Sequence, residues 1–256
     1  MLNFSANLSM LFQEFPWSQR FAAAREAGFE CIEIQFPYEL PWQEIRRQLD
    51  DYGLHLALIN VPAGDLLSGG FGLAGVPAQQ AAFQEAVQLA AEYASALDVP
   101  AVNVLAGRQA PDHPLAENLH TLAYNLAYAA DIFAGEDIIT CFEAINTYDI
   151  PDFLISGVAQ MQDMLDAVQH DYLRMQFDIY HMARMGEDII STLRENIDMI
   201  GHIQFADLPG RGSPGTGHLP LADYFDVIAH LPYRGCTGAE YHPQGSTLNS
   251  LGWLHR

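Results

Sequence analysis

The sequence of 256 residues contains no lysine, because all eleven of its basic residues are arginine. Without lysine the protein can form neither a Schiff base with a carbonyl substrate nor a lysine-anchored pyridoxal phosphate. It also lacks the lysine of a phosphate-binding P-loop. Any chemistry on a carbonyl group must therefore rely on acid–base side chains or on a metal ion.

Cysteine is scarce as well, with three residues, Cys31, Cys141 and Cys236, each in an apolar stretch. Their odd number and the absence of a CxxC spacing predict buried free thiols in a reducing compartment. The sequence also lacks an apolar run of transmembrane length and a charged N-terminal segment followed by a long apolar stretch. We therefore expect a soluble cytoplasmic protein that makes no membrane contact.

Positive charge is low, since 32 acidic residues outweigh the arginines and give a formal net charge of -21. Such a chain repels phosphate backbones and anionic membranes, so we expect no nucleic-acid partner. A small anionic substrate stays compatible with this charge, because local charge at a site decides its binding. The oligomeric state, a homo-oligomer included, is left open by the sequence.

Strand-like and helix-like segments alternate along the whole chain. The predicted strands cover 3–9, 31–36, 54–60, 101–105, 137–143, 173–178, 201–206 and 236–241. The predicted helices cover 17–27, 42–52, 77–97, 115–134, 157–168, 187–199 and 221–231. Nearly continuous apolar strands in this alternation predict an α/β fold, a single (β/α)8 TIM barrel that forms one domain over 1–256. The alternative, a doubly wound open sheet, would require a G-x-G-x-x-G loop, which is missing.

Four predicted strands carry a carboxylate or an amide at their last residue or within two residues of it, namely Glu143, Asp178, Gln204 and Glu240. In a barrel of this kind the carboxyl ends of the strands meet at one mouth, so we expect the four side chains to surround one site. Three carboxylates in such a site repel one another unless a cation neutralises them. Carboxylate and amide oxygens suit Mg²⁺ or Mn²⁺, whereas zinc takes more nitrogen or sulfur. The alternative is a set of polar strand ends that only cap the barrel.

Further polar residues near these strand ends are candidates for substrate binding. His181 lies three residues after Asp178 and could hydrogen-bond a substrate hydroxyl or a ligand carboxylate. Arg108 and Arg211 lie in loops after predicted strands and could clamp a substrate carboxylate. Asn7, at the end of the first strand, joins this set. The structural alternative for the histidine is helix capping. For the two arginines it is ion pairing, and for the asparagine it is turn formation.

Several strings of the sequence resemble the hydroxypyruvate isomerase family, within the xylose isomerase-like barrel superfamily. They are FSANLSMLF at 4–12, FPY at 36–38, NVPAGD at 60–65, EAIN at 143–146, DIP at 149–151, DIYHM at 178–182 and PGTG at 214–217. The resemblance runs over nearly the whole chain. The sequence departs from it at Ala144, where proline is common, and at His218, where glutamate is common.

The resemblance implies an intramolecular oxidoreductase of the aldose–ketose type, in glyoxylate metabolism. Such an enzyme interconverts hydroxypyruvate and 2-hydroxy-3-oxopropanoate through an enediol. It implies that Glu143 and Glu240 exchange the proton, and that both bind the divalent metal together with Asp178 and Gln204. The alternatives are a 2-oxo-tetronate isomerase, a ketose 3-epimerase, in which histidine would be usual at Gln204, and a non-catalytic sugar-acid binding protein. A zinc endonuclease of the same superfamily would need a basic DNA surface, which the net charge of -21 argues against.

Overall fold

The computed structural model of the protein describes residues 2–254, and its strands close into a barrel in the order β1 to β8. The strands are β1 (Phe4–Asn7), β2 (Cys31–Glu33), β3 (His55–Asn60), β4 (Ala101–Val104), β5 (Ile139–Glu143), β6 (Leu173–Asp178), β7 (Ile200–Phe205) and β8 (Thr237–Ala239). Each strand pairs in parallel with the next, and β1 pairs in parallel with β8. The predicted (β/α)8 barrel is confirmed.

The helices surround this barrel. They are α1 (Trp17–Glu26), α2 (Trp42–Tyr52), α3 (Gln80–Ala96), α4 (Leu115–Ala134), α5 (Val158–Val168), α6 (Ile179–Arg184), α7 (Ile189–Asn196) and α8 (Leu221–His230). Four of them begin directly after a proline, whose fixed φ suits a helix start: Pro16, Pro41, Pro114 and Pro220. Within residues 2–254, no helix is both long enough and apolar enough to cross a membrane.

The structure differs from the prediction mainly in two short elements. Helix α6 is missing from the prediction because it has only six residues and follows β6 without a loop. Strand β2 ends at Glu33 instead of 36, because its register with β3 shifts between Ile32 and Glu33. The predicted helices over 42–52 and 115–134 have the observed bounds of α2 and α4.

The barrel interior changes from apolar to polar along its axis. Leu58, Ala101 and Cys141 form a small buried cluster separate from the main core. Two residues further along β3, β4 and β5, on the same face of each strand, the side chains are polar. Interior layers of such barrels are usually filled by branched apolar residues. The polar layers therefore mark the end of the barrel where a site is built.

The prediction of three free cysteines is wrong for two of them. Cys31 and Cys236 form a disulfide with a Cα–Cα distance of 6.8 Å, whereas Cys141 is free and buried. The two partners are 205 residues apart in sequence. They meet because closure of the barrel places β2 and β8 on either side of β1, which the spacing of the cysteines in the sequence does not reveal.

Candidate active site

The mouth at the carboxyl ends of the strands collects the four side chains predicted from the strand ends. Glu143 and Asp178 are the last residues of β5 and β6, Gln204 is next to last in β7, and Glu240 directly follows β8. The exposed fraction of each is 4% or less. The structure therefore brings three buried carboxylates and one buried amide to the same end of the barrel.

Glu143, Asp178 and His181 form the tightest group at this mouth, with one ligand atom of each within 4.8 Å of the others. His181 reaches the group because α6 starts directly after β6, where the Asp178 side chain accepts a hydrogen bond from the backbone N–H of Tyr180 at 2.8 Å. The other carboxylate oxygen, Asp178 Oδ2, has no hydrogen-bond partner within residues 2–254. This group could hold a metal ion, and Asp178 Oδ2 is a buried acceptor that a cation would satisfy.

The hydrogen bonds of His181 assign its protonation. The Asn146 amide oxygen accepts from the backbone N–H groups of Tyr148 and Asp149, so its amide nitrogen faces His181 Nδ1 as a donor, at 2.6 Å. The neutral ring then carries its proton on Nε2, which lies 3.6 Å from Asp178 Oδ2. Burial and the nearby Arg211 and Arg184 hold the pKa of His181 well below its usual range. In this protonation state His181 turns an N–H group toward the carboxylates without a hydrogen bond to them, and the oxygens of Glu143 and Asp178 remain as the atoms of this group that can bind a cation.

Glu240 is held by donors from three different parts of the barrel. Arg211 Nη2 donates to Glu240 Oε2 at 2.6 Å, and Gln35 Nε2 and Asn7 Nδ2 donate to Oε1 at 2.7 and 3.1 Å. Arg211 Nη2 also lies 3.7 Å from Asp178 Oδ2. The guanidinium therefore provides a positive charge between two carboxylates, as a cation in this site would.

Gln204 and Glu143 share one amide donor. Gln176 Nε2 donates to Gln204 Oε1 at 2.7 Å and to Glu143 Oε2 at 3.1 Å. Asn103 Nδ2 donates to the same Glu143 oxygen at 3.3 Å, and Gln204 Nε2 donates to Glu33 Oε2 at 2.8 Å. The side-chain oxygen of Gln204 therefore lies on the same side as the Glu143 carboxylate.

The electrostatics of the site favour binding of a positive charge. Burial, together with the charges of Glu240 and Asp178, raises the pKa of Glu143 well above its usual range. Burial also raises the pKa of Asp178, to about 7, although Arg211 opposes the shift. For Arg211, burial is outweighed by the surrounding carboxylates, so its pKa rises. A divalent cation bound here would lower the free energy of the ionised carboxylates, which burial and mutual repulsion raise.

A cleft opens to solvent above these residues, with about 530 Å³ of empty space that includes open solvent. The polar residues that line it are Gln35, Asn60, Glu143, Asp149, Gln176, His181, Arg211 and Glu240. The apolar residues that line it are Phe36, Leu67, Leu105, Ile145 and Ile150. A ligand in this cleft would therefore meet both charged groups and apolar side chains.

The candidates for substrate binding separate into two groups. His181 and Arg211 line the cleft, and Asn7, with 1% of its surface exposed, contacts it through Glu240. Arg108 does not join them, because its backbone bridges to Phe153 and its N–H donates to Phe71 O at 3.0 Å. Among residues 2–254, the cleft-lining set does not include Arg108.

The polar layer beneath the strand ends is absent from the residues predicted from the sequence. Gln176 and His202 lie two residues before Asp178 and Gln204, respectively, on the same face of each strand. Glu33 and Gln35 alternate with apolar residues around β2. Polar residues at a spacing of two in an otherwise apolar strand could have identified this layer, because alternate side chains point into the barrel.

Comparison of the sequence with known families and proteins gives a consistent result. The model of the family described as xylose isomerase-like TIM barrel matches residues 21–256. The chain is 41% identical to hydroxypyruvate isomerase of Escherichia coli strain K12 over 255 residues, which cover 99% of this chain and 98% of the relative. It is 38% identical to 2-oxo-tetronate isomerase of Cupriavidus necator, with 99% and 98% covered.

A solved structure of high similarity extends this result. The crystal structure described as AP endonuclease, family 2, from Brucella melitensis superimposes with a TM-score of 0.96 at 32% identity. The alignment covers 100% of this chain and 98% of that chain. The likeness therefore includes the whole barrel, with the strands that carry the candidate site.

Proposed function

Since the chain belongs to the xylose isomerase-like TIM barrel family and is an isomerase, we propose that it interconverts hydroxypyruvate and 2-hydroxy-3-oxopropanoate (tartronate semialdehyde). The observation that carries this proposal is the presence of two buried carboxylates, Glu143 and Glu240, in one small cleft with Arg211. Such an arrangement suits the transfer of a proton within a small anionic substrate.

The proposed reaction moves one proton between neighbouring carbon atoms. In the forward direction a carboxylate removes a proton from carbon 3 of hydroxypyruvate, which leaves an enediolate with its negative charge on the oxygen of carbon 2. That oxygen takes up a proton and becomes the hydroxyl, the oxygen on carbon 3 loses its hydroxyl proton and becomes the aldehyde, and a proton returns to carbon 2. We assign this exchange to Glu143 and Glu240. Burial and neighbouring charges raise the pKa of Glu143, which makes its carboxylate a stronger base.

We propose that the cation is Mg²⁺ or Mn²⁺ and that Glu143, Asp178, Gln204 and Glu240 hold it. The donor set contains only carboxylate and amide oxygens, which suits a hard divalent ion. When bound, the ion would polarise the substrate carbonyl and lower the energy of negative charge on the enediol. Gln176 and Asn103 keep the carboxylate of Glu143 in place by donating to its Oε2.

We propose that Arg211 binds the carboxylate of the substrate. Its Nε is buried and has no hydrogen-bond partner within the described part of the chain, so a donor remains available although Nη2 contacts Glu240. A guanidinium can bind a carboxylate through two parallel hydrogen bonds. His181, with its proton on Nε2, and Asn7 would bind or orient the substrate oxygens nearby.

A 2-oxo-tetronate, one carbon longer than hydroxypyruvate, is the second candidate substrate. A relative at 38% identity is named 2-oxo-tetronate isomerase. Nucleic acid is disfavoured despite the name of the Brucella melitensis structure, because the net charge of -21 repels a phosphate backbone.

The test is a substrate panel of hydroxypyruvate, 2-oxo-tetronates and ketoses, assayed with Mg²⁺, Mn²⁺ or EDTA. We expect hydroxypyruvate to be converted fastest and the activity to depend on the metal. In D₂O, solvent deuterium should appear on the product carbon, which separates an enzyme from a binding protein. Activity that is unchanged after rigorous metal removal would contradict the role of the ion. A faster conversion of a 2-oxo-tetronate would reassign the substrate.

The acid–base assignment is tested by replacing each glutamate with its neutral isostere. We expect Glu143→Gln and Glu240→Gln each to lower kcat by at least about 100-fold, because each removes a group that exchanges the proton. Circular dichroism should show an unchanged fold. Turnover like that of the wild type in either variant would refute the assignment for that residue.

A further inference from the structure

Glu33 is a buried carboxylate that contacts neither the cleft nor solvent. It lies at the end of β2 with 1% of its surface exposed. Its Oε1 accepts hydrogen bonds from Ser5 Oγ at 2.6 Å and from His202 Nε2 at 2.8 Å. Its Oε2 accepts from Gln204 Nε2 at 2.8 Å and from Asn7 Nδ2 at 3.4 Å. One carboxylate therefore connects β2 with β1 and β7 beneath the candidate metal site.

The barrel is shaped to hold this carboxylate. A Cβ atom at Gly238 of β8 would collide with the Glu33 carboxylate, so only glycine leaves the required space. All four of its close partners, Ser5, His202, Gln204 and Asn7, act as donors to it. An arrangement of donors alone around both oxygens is what an ionised carboxylate accepts.

The negative charge of Glu33 decides which end of the Gln204 amide lies on the side of Gln176 and Glu143. With the amide nitrogen toward Glu33, the oxygen Oε1 faces Gln176 Nε2 at 2.7 Å, on the side of Glu143. The reversed amide would place its oxygen against the Glu33 carboxylate and its NH₂ group against the Gln176 NH₂ group. Both contacts would then be repulsive, so only one orientation is stable.

We propose that Glu33 is a positioning residue that keeps the carbonyl oxygen of Gln204 turned toward the cation. This inference rests on the proposed function, in which Gln204 is one of the metal-binding residues. A cation can bind the amide oxygen but not the amide nitrogen, whose hydrogens point outward. Glu33 thereby acts on the metal without touching it, as outer residues do when they orient a ligand.

The isosteric variant Glu33→Gln tests this inference. Its own NH₂ group can take the place of Oε2 and would donate to Gln204, which then reverses and turns its NH₂ group toward the cation. We expect Mn²⁺ affinity, measured by isothermal titration calorimetry without substrate, to fall about 10- to 100-fold. The matched control is Ser5→Ala, which removes a donor to the same carboxylate without changing its charge, and we expect affinity within about threefold of wild type.

The double variant Glu33→Gln with Gln204→Glu exchanges donor and acceptor across the same hydrogen bond. Its carboxylate at 204 has two equivalent oxygens, so no reversal can remove the ligand atom. We expect Mn²⁺ affinity within about threefold of wild type, a recovery that a purely structural role of Glu33 does not predict. If circular dichroism shows that Glu33→Gln alone does not fold, the Mn²⁺ affinity of the double variant still tests the inference.

The outcomes separate this inference from the proposed function. If the wild type binds no Mn²⁺, the proposed metal site is wrong and the role of Glu33 falls with it. If the wild type binds Mn²⁺ and a folded Glu33→Gln binds it equally well, only the positioning role is overturned. A folded double variant whose affinity stays as low as that of Glu33→Gln, or lower, likewise overturns it.

Discussion

At the scale of single residues, Arg211 balances the charge of the buried carboxylates of the site. Its Nη2 lies 2.6 Å from Glu240 and 3.7 Å from Asp178, and its side chain is only 21% exposed. Two buried carboxylates would otherwise face each other without a counter-charge. The arginine therefore contributes to folding as well as to the proposed binding of the substrate.

We predict that Arg211→Met destabilises the metal-free protein by about 3–5 kcal/mol, because it leaves buried carboxylates without a partner. Urea unfolding in EDTA measures this change. The control is Arg194→Met, which removes an exposed arginine and should shift the midpoint little. Equal unfolding midpoints for Arg211→Met and wild type would contradict the prediction.

Asp178 makes metal binding dependent on pH. Burial raises its pKa to about 7, so below this pH a cation must displace a proton, and above it the carboxylate is already charged. We predict that Mn²⁺ affinity increases by at least about tenfold from pH 6 to pH 8, since Glu143, whose pKa is also raised, adds to the dependence. Titrations at several pH values measure this dependence. Asp178→Asn, which cannot titrate at this position, should bind Mn²⁺ weakly and with a smaller slope.

At the scale of secondary-structure elements, helix α4 fixes the loop between β3 and α3. The side-chain amides of Asn118 and Asn125, both buried, donate to the backbone oxygens of Gly75 and Ala74, each at 2.8 Å. The same loop carries Leu67 to the wall of the cleft, where 68% of its side chain is exposed. One face of α4 therefore holds part of the site in position.

We predict that Asn118→Ala destabilises the protein by about 1–3 kcal/mol, because it leaves the carbonyl oxygen of Gly75 buried without a donor. Limited proteolysis should also cut the loop over 61–76 faster. His120→Ala, an exposed change on the same helix, is the control for helix propensity. If both variants show the same stability and the same cleavage rate, the helix does not hold the loop as argued.

The sequence predicts long elements better than short ones. The apolar pattern of α4 extends over 20 residues, enough turns for its period to identify both ends. Helix α6 has six residues and no comparable period, so its existence depends on Asp178, which both ends β6 and caps the helix. That short helix also decides where His181 lies, and its place beside the carboxylates could not be predicted from the sequence.

At the scale of the whole molecule, the candidate cation links the site to the stability of the barrel. An ion that binds only the folded protein stabilises it by about 2.7 kcal/mol at a concentration of 100 times its Kd. For a chain of 256 residues we therefore predict that saturating Mn²⁺ raises the Tm by about 5–10 °C. Differential scanning fluorimetry measures this shift, which excess EDTA should reverse. An unchanged Tm would argue against a bound ion.

Closure of the barrel limits what the sequence can reveal about the site. The sequence identifies Glu143, Asp178, Gln204 and Glu240, because each is a polar residue at or near the end of an apolar run. Which donors meet them depends on strands that are distant in sequence, as when Asn7 contacts Glu240 across 233 positions. The pairing of Cys31 with Cys236 has the same origin.

The two halves of the barrel contribute different residues to the site. The four candidate ligands come from β5 to β8, whereas Asn7, Gln35 and Asn103, which donate to Glu240 or Glu143, come from the half that contains β1 to β4. A fragment that contains only the second half would carry every ligand, with Gln176 and Arg211 as donors, but would lack the three donors of the first half. Co-expression of the two halves as separate chains would thus make the strength of cation binding a reporter of fragment complementation, since the full set of donors is assembled only when both halves join.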